Sequence, residues 1–227
     1  YFTESGGAGM PFAVLLEVAL QPCGWLAAYC GSGLTSDVDL SFRNLGGEAT
    51  QHLVLGPDIG RLTTTVTMTR ASMSGGMIIQ HYDLRVDSPQ GLVYEGDTYF
   101  GFFTKAALAN QVGLRDAEIW RPDAAERARA VVMPAGVGAP YSGDMLRMFD
   151  AVSCWVPDGG PHGLGFIEGV KAVDPMEWFF AAHFYQDPVC PGSLGLESFM
   201  QLLMQVAGDR WGDGPGVRFE SMALGQE

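Results

Sequence analysis

The stretch that decides the fold is HFYQDPVCPGSLGLESFMQ, which runs from His183 to Gln201. A histidine is followed by a Pro-Gly step and then by an apolar run that is typical of a helix. Proline is tolerated in the first turn of a helix, where its missing N–H would have no partner. Glu197 and Gln201 are four residues apart, so they share one face of this predicted helix. The pattern indicates either a catalytic site or a core helix that contains one polar residue.

A second stretch near the start of the chain, MPFAVLLEVALQPCGW, repeats this pattern. Its Pro11 is followed by Glu17 and then by Gln21, at a constant offset of 180 positions from the first stretch. The matching residues of the first stretch are Pro191, Glu197 and Gln201. Internal repetition of this kind is typical of duplicated units related by a pseudo-two-fold axis. A carboxyl group among apolar side chains is costly to ionise, so such an acid can serve as a general acid.

The histidine breaks the repeat. His183 stands eight residues before Pro191, whereas Thr3 stands eight residues before Pro11. The chain therefore has two acid-bearing helices and one motif histidine. If the two units pack about a pseudo-two-fold axis, His183 of the second unit can face Glu17 of the first, which predicts one working site for each pair of units.

Composition narrows the class of protein. The 227 residues suffice for one large domain or two small ones, and 47% hydrophobic with 17% charged residues indicates a packed globular chain. A net charge of -13 with no basic run makes a nucleic-acid partner unexpected. The cysteines show no metal-ligand spacing and are interpreted as reduced thiols of a cytoplasmic protein; they are Cys23, Cys30, Cys154 and Cys190.

Local patterns predict the order of the elements. The apolar run from Met10 to Tyr29 is interpreted as a buried helix rather than a membrane span, since it contains Glu, Gln and Pro. Arg61 to Thr104 predicts at least three antiparallel strands separated by SGG and SPQG turns. Arg121 to Asp144 has the composition of a linker, and Met145 to Val173 is a second strand-rich portion. One further strand is predicted over residues 216–224.

The motif also carries a resemblance to a known family. WFFAAHFYQDPVCPGSLGLESFMQLL resembles the active-site segment of bacterial β-hydroxydecanoyl-ACP dehydratase/isomerases, which adopt the hot-dog fold, a long helix wrapped by an antiparallel sheet. MPFAVLLEVALQPCGWLAAY and GFFTKAALANQVGL resemble, more specifically, the tandem dehydratase region of polyunsaturated fatty-acid synthases and related polyketide-type lipid synthases. The resemblance covers most of the chain and is weakest over the linker.

The resemblance implies an α+β fold of the double hot-dog type. Residues 1–114 would form a first, degenerate unit that lacks the histidine and supplies Glu17. Residues 115–142 would form a linker, and residues 143–227 a second unit that carries the His183 motif. Neither unit has a full set of strands around its helix, so we expect the chain to be a section of a longer multidomain synthase, or trimmed at its ends.

The resemblance also implies an activity, the dehydration of a 3-hydroxyacyl thioester on an acyl carrier protein. His183 falls on the catalytic histidine, and Glu197 falls on the acid position, where the single-domain enzymes carry Asp. Those enzymes pair the histidine of one unit with the acid of its partner, which gives Glu17 the acid role. The backbone N–H around Gly192 would stabilise the thioester oxyanion. Supporting roles fall to Gln21 and Gln201.

No metal and no organic cofactor is expected. The acyl chain would arrive on the phosphopantetheine of the carrier protein. The expected partners are that carrier domain and other domains of the synthase, without a membrane span. Three alternatives stay open: an added enoyl isomerase activity, a non-catalytic acyl-carrier-binding module, and a hot-dog thioesterase. Cys190 beside His183 could be a nucleophile, although packing is the favoured interpretation.

Overall fold

The computed structural model describes residues 9–110, 120–133, 144–184 and 187–212. The chain divides into two compact units, of which one is Gly9–Asp116 and the other includes Ala117–Glu227. Helices and antiparallel strands occur in both units, so the α+β class predicted from the sequence is confirmed. The domain limits predicted from the sequence stay a prediction.

The first unit is one long helix with a four-stranded antiparallel sheet. The strands lie in the order β1-β4-β3-β2, with β1 and β2 at the edges. The predicted strands within residues 61–104 are confirmed as three strands, and a fourth, β1, precedes them. The elements are α1 (Phe12–Tyr29), β1 (Leu40–Gln51), β2 (Thr63–Ser74), β3 (Met77–Ser88), β4 (Gly91–Thr104) and the short helix α2 (Lys105–Ala109).

Turn chemistry sets the register of this sheet. Gly75 and Gly76 join β2 to β3, and both have a positive φ, 58° and 77°. A two-residue hairpin loop with both residues at positive φ matches the right-handed twist of the strands, and glycine reaches that conformation without a steric penalty. The SGG signal in the sequence therefore marks a tight hairpin.

Helix α1 packs its apolar side on the inner face of the sheet. Leu15 and Ala19 lie in a cluster with Leu84, Val86 and Val93. Further along the helix, Cys23 and Ala27 form a second cluster with the sheet residues Tyr82 and Phe100. Of the described helices, α1 is the one whose length and composition would also suffice to cross a membrane, a test that core helices pass as well.

Pro22 lies inside α1 and leaves a gap in its hydrogen-bond ladder. Proline has no N–H, so the carbonyl of Val18, four residues earlier, loses its usual helical donor. The hydroxyl of Thr64 on β2 donates to that carbonyl at 3.2 Å. A strand side chain thus replaces the missing helical hydrogen bond and ties the helix to the sheet.

The second unit consists of a two-stranded hairpin and a long helix with shorter helices. The described part of the predicted linker, residues 120–133, contains α3 and packs on the hairpin, since the Val131 N–H donates to the Trp155 carbonyl at 2.9 Å. The predicted strand at 216–224 lies outside the described residues. The elements are α3 (Ala124–Arg127), β5 (Ala151–Val156), β6 (Phe166–Val170), α4 (Trp178–Ala182) and α5 (Gly192–Trp211).

Trp155 anchors the hairpin to the end of α5. Its ring is buried, and its indole N–H donates to a carboxylate oxygen of Asp209 at 3.2 Å. The guanidinium of Arg210 lies 5.7 Å from the centroid of the same ring and donates to the carbonyls of Pro157 and Leu164. The C-terminal end of α5 therefore contacts the hairpin through two side chains, Trp155 of the hairpin and Arg210 of the helix.

Replacing Leu15 with alanine tests the packing of α1. Leu15 is 1% exposed in the core, so Leu15→Ala should lower the free energy of unfolding of the first unit by about 2–5 kcal/mol. The matched control is Leu34→Ala, because Leu34 is 89% exposed and its truncation should cost less than about 0.5 kcal/mol. Urea unfolding followed by circular dichroism measures both; equal effects would contradict the packing described.

Candidate active site

The imidazole of His183 is held in one tautomer. His183 caps the C-terminus of α4, and its backbone N–H donates to the carbonyl of Phe179 at 2.8 Å. Its Nδ1 lies 2.8 Å from the carbonyl oxygen of Val189. A carbonyl can only accept, so Nδ1 must carry the hydrogen, and in the neutral ring Nε2 then has the lone pair. The ring is thus prepared to act as a base through Nε2.

The backbone conformation after His183 makes this hydrogen bond possible. Phe184 has a φ of 62°, in the left-handed region that a bulky residue adopts only where its surroundings require it. The phenyl ring of Phe184 lies 4.0 Å, between centroids, from the imidazole. The Asp187 N–H donates to the Phe184 carbonyl at 3.5 Å, and the Val189 carbonyl, two residues further on, lies at the imidazole.

The next element begins at the Pro-Gly step. Pro191 is buried and is the N-cap of α5, and its carbonyl accepts from the N–H groups of Leu194 and Gly195. Gly192, the first residue of the helix, is exposed, and a Cβ placed on it would meet no atom within 4 Å. The first N–H groups of a helix lack acceptors within the helix and lie at its positive end, so this start can stabilise an anion.

A buried acid and a buried amide follow on α5. Glu197 is 6% exposed and Gln201 is 1% exposed. The Gln201 amide nitrogen donates to Glu197 Oε1 at 3.0 Å and to the Leu146 carbonyl at 2.7 Å. Its oxygen accepts from the Met148 N–H at 2.9 Å. Gln201 therefore fixes the Glu197 carboxyl and satisfies two backbone groups of the segment before β5.

The first unit contains the same pair in a more open setting. The Gln21 amide nitrogen donates to Glu17 Oε2 at 3.2 Å, so the two residues contact each other as the four-residue spacing predicts. Glu17 is half-buried and Gln21 is exposed. The repeat read from the sequence is thus present as local geometry in both helices. His183 and Glu17 belong to different units, and their pairing stays a prediction.

Cys190 lies in the loop before α5, and its thiol contacts the Pro191 carbonyl at 3.7 Å. Burial, with a further effect of the nearby Glu177 carboxylate, raises the pKa of the Cys190 thiol. A raised pKa keeps the sulfur protonated at neutral pH, where the thiol is a poor nucleophile. All four cysteines are free; the raised pKa of Cys190 disfavours nucleophilic catalysis, and its side chain is exposed rather than packed in a core.

The remaining histidines have other surroundings. His52 contacts Glu95 at 3.1 Å, His81 stacks on Tyr99, and His162 is exposed in a turn. Within the described ranges, no three His, Cys, Asp or Glu side chains are grouped so that they could hold a metal ion.

Sequence reasoning missed the Val189 carbonyl as the partner of His183. A backbone carbonyl can belong to any residue type, so no sequence signal marks it.

Comparison with known families finds a match over part of the chain. Residues 141–223 match the model of the FabA-like domain, a range that includes His183, Gly192 and Glu197. This segment is FabA-like. The resemblance predicted from the histidine motif is therefore confirmed, and the FabA-like segment contains both the fixed imidazole and the buried acid.

The relatives extend the likeness over most of the chain. The chain is 34% identical to one of the subunits of the polyunsaturated fatty acid synthase of Thraustochytrium sp. across 87% of its own residues, and it spans 15% of that relative's length. Among solved structures, a hot-dog-like protein from Thermanaerovibrio acidaminovorans is 21% identical, with a TM-score of 0.32 over 46% of this chain and 70% of that one. A SecB-like chaperone of Mycobacterium tuberculosis is 18% identical, with a TM-score of 0.23 over 33% of this chain and 59% of that one. Structural likenesses this weak carry no argument.

Gln201→Met tests the buried polar contacts of the FabA-like segment. Methionine fills a similar volume but leaves the Met148 N–H and the Leu146 carbonyl without the amide partners they have here, so the free energy of unfolding should fall by about 2–4 kcal/mol. The repeat supplies the control, Gln21→Met, whose side chain is exposed and whose loss should cost less than about 0.5 kcal/mol. Chemical denaturation of both variants measures the difference, and two equally stable variants would contradict it.

Proposed function

We propose that this chain removes water from 3-hydroxyacyl thioesters during fatty-acid or polyunsaturated fatty-acid synthesis and releases 2-enoyl thioesters. The substrate would be carried on the phosphopantetheine of an acyl carrier protein, with other synthase domains as further partners. The observation that carries the proposal is the His183–Val189 hydrogen bond, which leaves Nε2 basic within a FabA-like segment. The likeness to a polyunsaturated fatty acid synthase supports the substrate class.

The first chemical step assigns the base. The Nε2 of His183 would take the proton from the carbon alpha to the thioester carbonyl, and the C–H electron pair would move towards that carbonyl. Negative charge then grows on the thioester oxygen. The N–H groups at the start of α5, around Gly192, would stabilise this charge through hydrogen bonding and the helix dipole. An uncovered glycine leaves space for the thioester to approach the backbone.

The second step needs an acid at the hydroxyl group. As the α–β double bond forms, the C–O bond at the 3-position breaks, and a protonated carboxyl would donate its proton so that water leaves. The imidazolium of His183 then returns its proton to solvent, and the acid is reprotonated, so the cycle balances. Atoms of the substrate account for the whole reaction, and we propose that it proceeds without a metal or an organic cofactor.

Glu17 is the acid we propose, within a double hot-dog arrangement whose two units are related by a pseudo-two-fold axis. Two observations support this assignment over Glu197. Glu197 is buried and its carboxyl is engaged by Gln201, which is itself held by two backbone groups. Glu17 is half-buried and its amide partner Gln21 is exposed, so this pair lies closer to the surface of its unit than the pair on α5. Gln21 would then orient the acid, and Gln201 would hold Glu197 in a structural role.

His183→Ala tests the base. Incubation with a 3-hydroxyacyl pantetheine thioester should give the 2-enoyl product with the unaltered protein, and the substitution should lower kcat by about 10²–10⁴. His162→Ala is the matched control, since His162 is exposed in the same unit, and it should keep full activity. Retained activity in His183→Ala would remove this residue from the mechanism. Release of free thiol instead of enoyl product would indicate a thioesterase, and neither product would indicate a binding module.

The two acids are separated by parallel amide substitutions. Glu17→Gln should reduce dehydration by about 10²-fold or more, because the amide cannot donate the proton that the leaving hydroxyl needs. Glu197→Gln should act mainly on stability, with kcat changed by less than about tenfold once the folded fraction is matched by circular dichroism. The reverse ranking of kcat would assign the acid role to Glu197 and contradict the pairing across units.

A further inference from the structure

Helix α4 is too short to hold its own position. It runs from Trp178 to Ala182, and His183 follows as its C-cap. An isolated helix of this length is unstable in water, so contacts at its two ends decide where it lies. At the C-terminal end, the imidazole of His183 is hydrogen-bonded to the Val189 carbonyl at 2.8 Å. Further contacts that fix α4 lie at its N-terminal end.

A lysine next to the hairpin contacts the N-terminal end of α4. Glu177 is the N-cap of the helix, and its Oε1 accepts from Lys171 Nζ at 2.7 Å. Lys171 directly follows β6, which ends at Val170. Its ammonium group also lies 3.5 Å from Asp150 Oδ1, and Asp150 Oδ2 accepts from the Ala172 N–H at 2.6 Å. The lysine thus links the base of the hairpin to the start of α4.

The ion pair between Lys171 and Glu177 is partly shielded from water. The Lys171 side chain is 32% exposed and the Glu177 side chain is 21% exposed. The hydrogen bond to Glu177 raises the pKa of Lys171, so its ammonium group is charged at neutral pH. A partly buried carboxylate is costly to leave without its cation. If the ammonium group were removed, the Glu177 carboxylate would turn towards water, and the start of α4 would move with it.

The same carboxylate lies near the loop that contains the acceptor of His183. Cys190 directly follows Val189, and the Glu177 carboxylate, in addition to burial, raises the pKa of the Cys190 thiol. An electrostatic effect of this kind requires the two groups to be close in space. Glu177 is therefore near both segments that the His183–Val189 hydrogen bond joins, which are α4 and the loop before α5.

Trp178 supplies a second contact at the start of α4. Its indole N–H donates to the Met145 carbonyl at 2.8 Å, which ties the helix to the segment before β5. This contact does not involve the lysine, so it remains when the ion pair is lost. Loss of the ion pair should therefore change the placement of His183 without unfolding the helix.

We propose that Lys171 is a positioning residue for the dehydration: it holds Glu177 and thereby keeps Nδ1 of His183 on the Val189 carbonyl. The lysine acts on the base through α4 and not through contact with the reacting atoms. Its effect on catalysis rests on the proposed function, whereas its effect on the imidazole tautomer does not. Loss of the lysine should release Nδ1 from its acceptor, and the proton is then shared between the two ring nitrogens.

Nitrogen NMR of the whole chain with isotope-labelled histidine tests the position of the proton. The two ring nitrogens of a neutral imidazole differ in chemical shift according to which one carries the hydrogen, and the spectrum of His183→Ala identifies the signals of His183. At a pH at which the ring is neutral, the unaltered protein should have the proton on Nδ1. Lys171→Met should lower the ratio of the Nδ1–H to the Nε2–H tautomer by about threefold to tenfold, the factor by which one hydrogen bond shifts an equilibrium.

Three further variants separate positioning from a general loss of structure. Lys171→Arg keeps a cation for Glu177 and should keep the Nδ1–H tautomer. Glu177→Gln removes the charge of the partner and should reproduce the effect of Lys171→Met. The control is Lys105→Met, the same substitution at an exposed lysine of the other unit, which should leave the ratio unchanged. An unchanged tautomer ratio in Lys171→Met or in Glu177→Gln would overturn the proposal.

Turnover of a 3-hydroxyacyl pantetheine thioester tests the consequence for catalysis. Lys171→Met should lower kcat about tenfold or more with KM changed by less than about twofold, because the base is misplaced while the contacts with substrate remain. Lys171→Arg should recover most of kcat. A higher KM with an unchanged kcat would overturn the proposal, since the lysine would then bind substrate. If the unaltered protein forms no enoyl product, the proposed function fails, and the tautomer ratio alone still decides whether Lys171 positions His183.

Discussion

The hydrogen bond between His183 Nδ1 and the Val189 carbonyl is the constraint on which the proposed chemistry depends. It joins the end of α4 to the loop before α5 and decides which ring nitrogen carries the proton. The left-handed Phe184 directly follows this histidine, and its ring lies against the imidazole. A strained residue next to a reactive one is a common feature of sites whose geometry must be held before substrate arrives.

Helices α1 and α5 have the same Pro, Glu and Gln spacing, yet they use it differently. In α5 the Glu–Gln pair is buried, and it satisfies the backbone groups of Leu146 and Met148. In α1 the pair is more open, and the helix obtains its packing from the opposite stripe. One sequence pattern therefore forms a buried contact in the second unit and a half-exposed one in the first.

Sequence reasoning could predict the elements whose signals are local. The apolar runs after Pro11 and after Pro191, the two-glycine hairpin and the Thr-rich strands were sufficient for α1, α5 and β2 to β4. It missed β1, whose sequence LSFRNLGGEATQ has a bulge between Asn44 and Gly46 that interrupts the alternation. Gly47 is needed there because a Cβ would lie 2.4 Å from the Asp97 carbonyl oxygen of the neighbouring strand, so the glycine that obscures the strand is required by strand pairing.

The candidate site divides in the same way. Residue types and spacing were sufficient to select His183, Glu17 and Glu197, since an imidazole and carboxyls are recognisable in any fold. The tautomer of His183 could not be predicted, because it is set by a backbone carbonyl whose position depends on the path of the loop. The buried face of α5 could not be predicted from hydrophobicity either, because Gln201 is buried while Phe199 and Leu203 are exposed. Gln201 is buried because two backbone groups need its amide, and leaving either unpaired would cost about 1–3 kcal/mol, comparable to the gain from burying an apolar side chain instead. The hydrogen bonds of Gln201 therefore contribute to the orientation of α5, on which Phe199 and Leu203 are exposed.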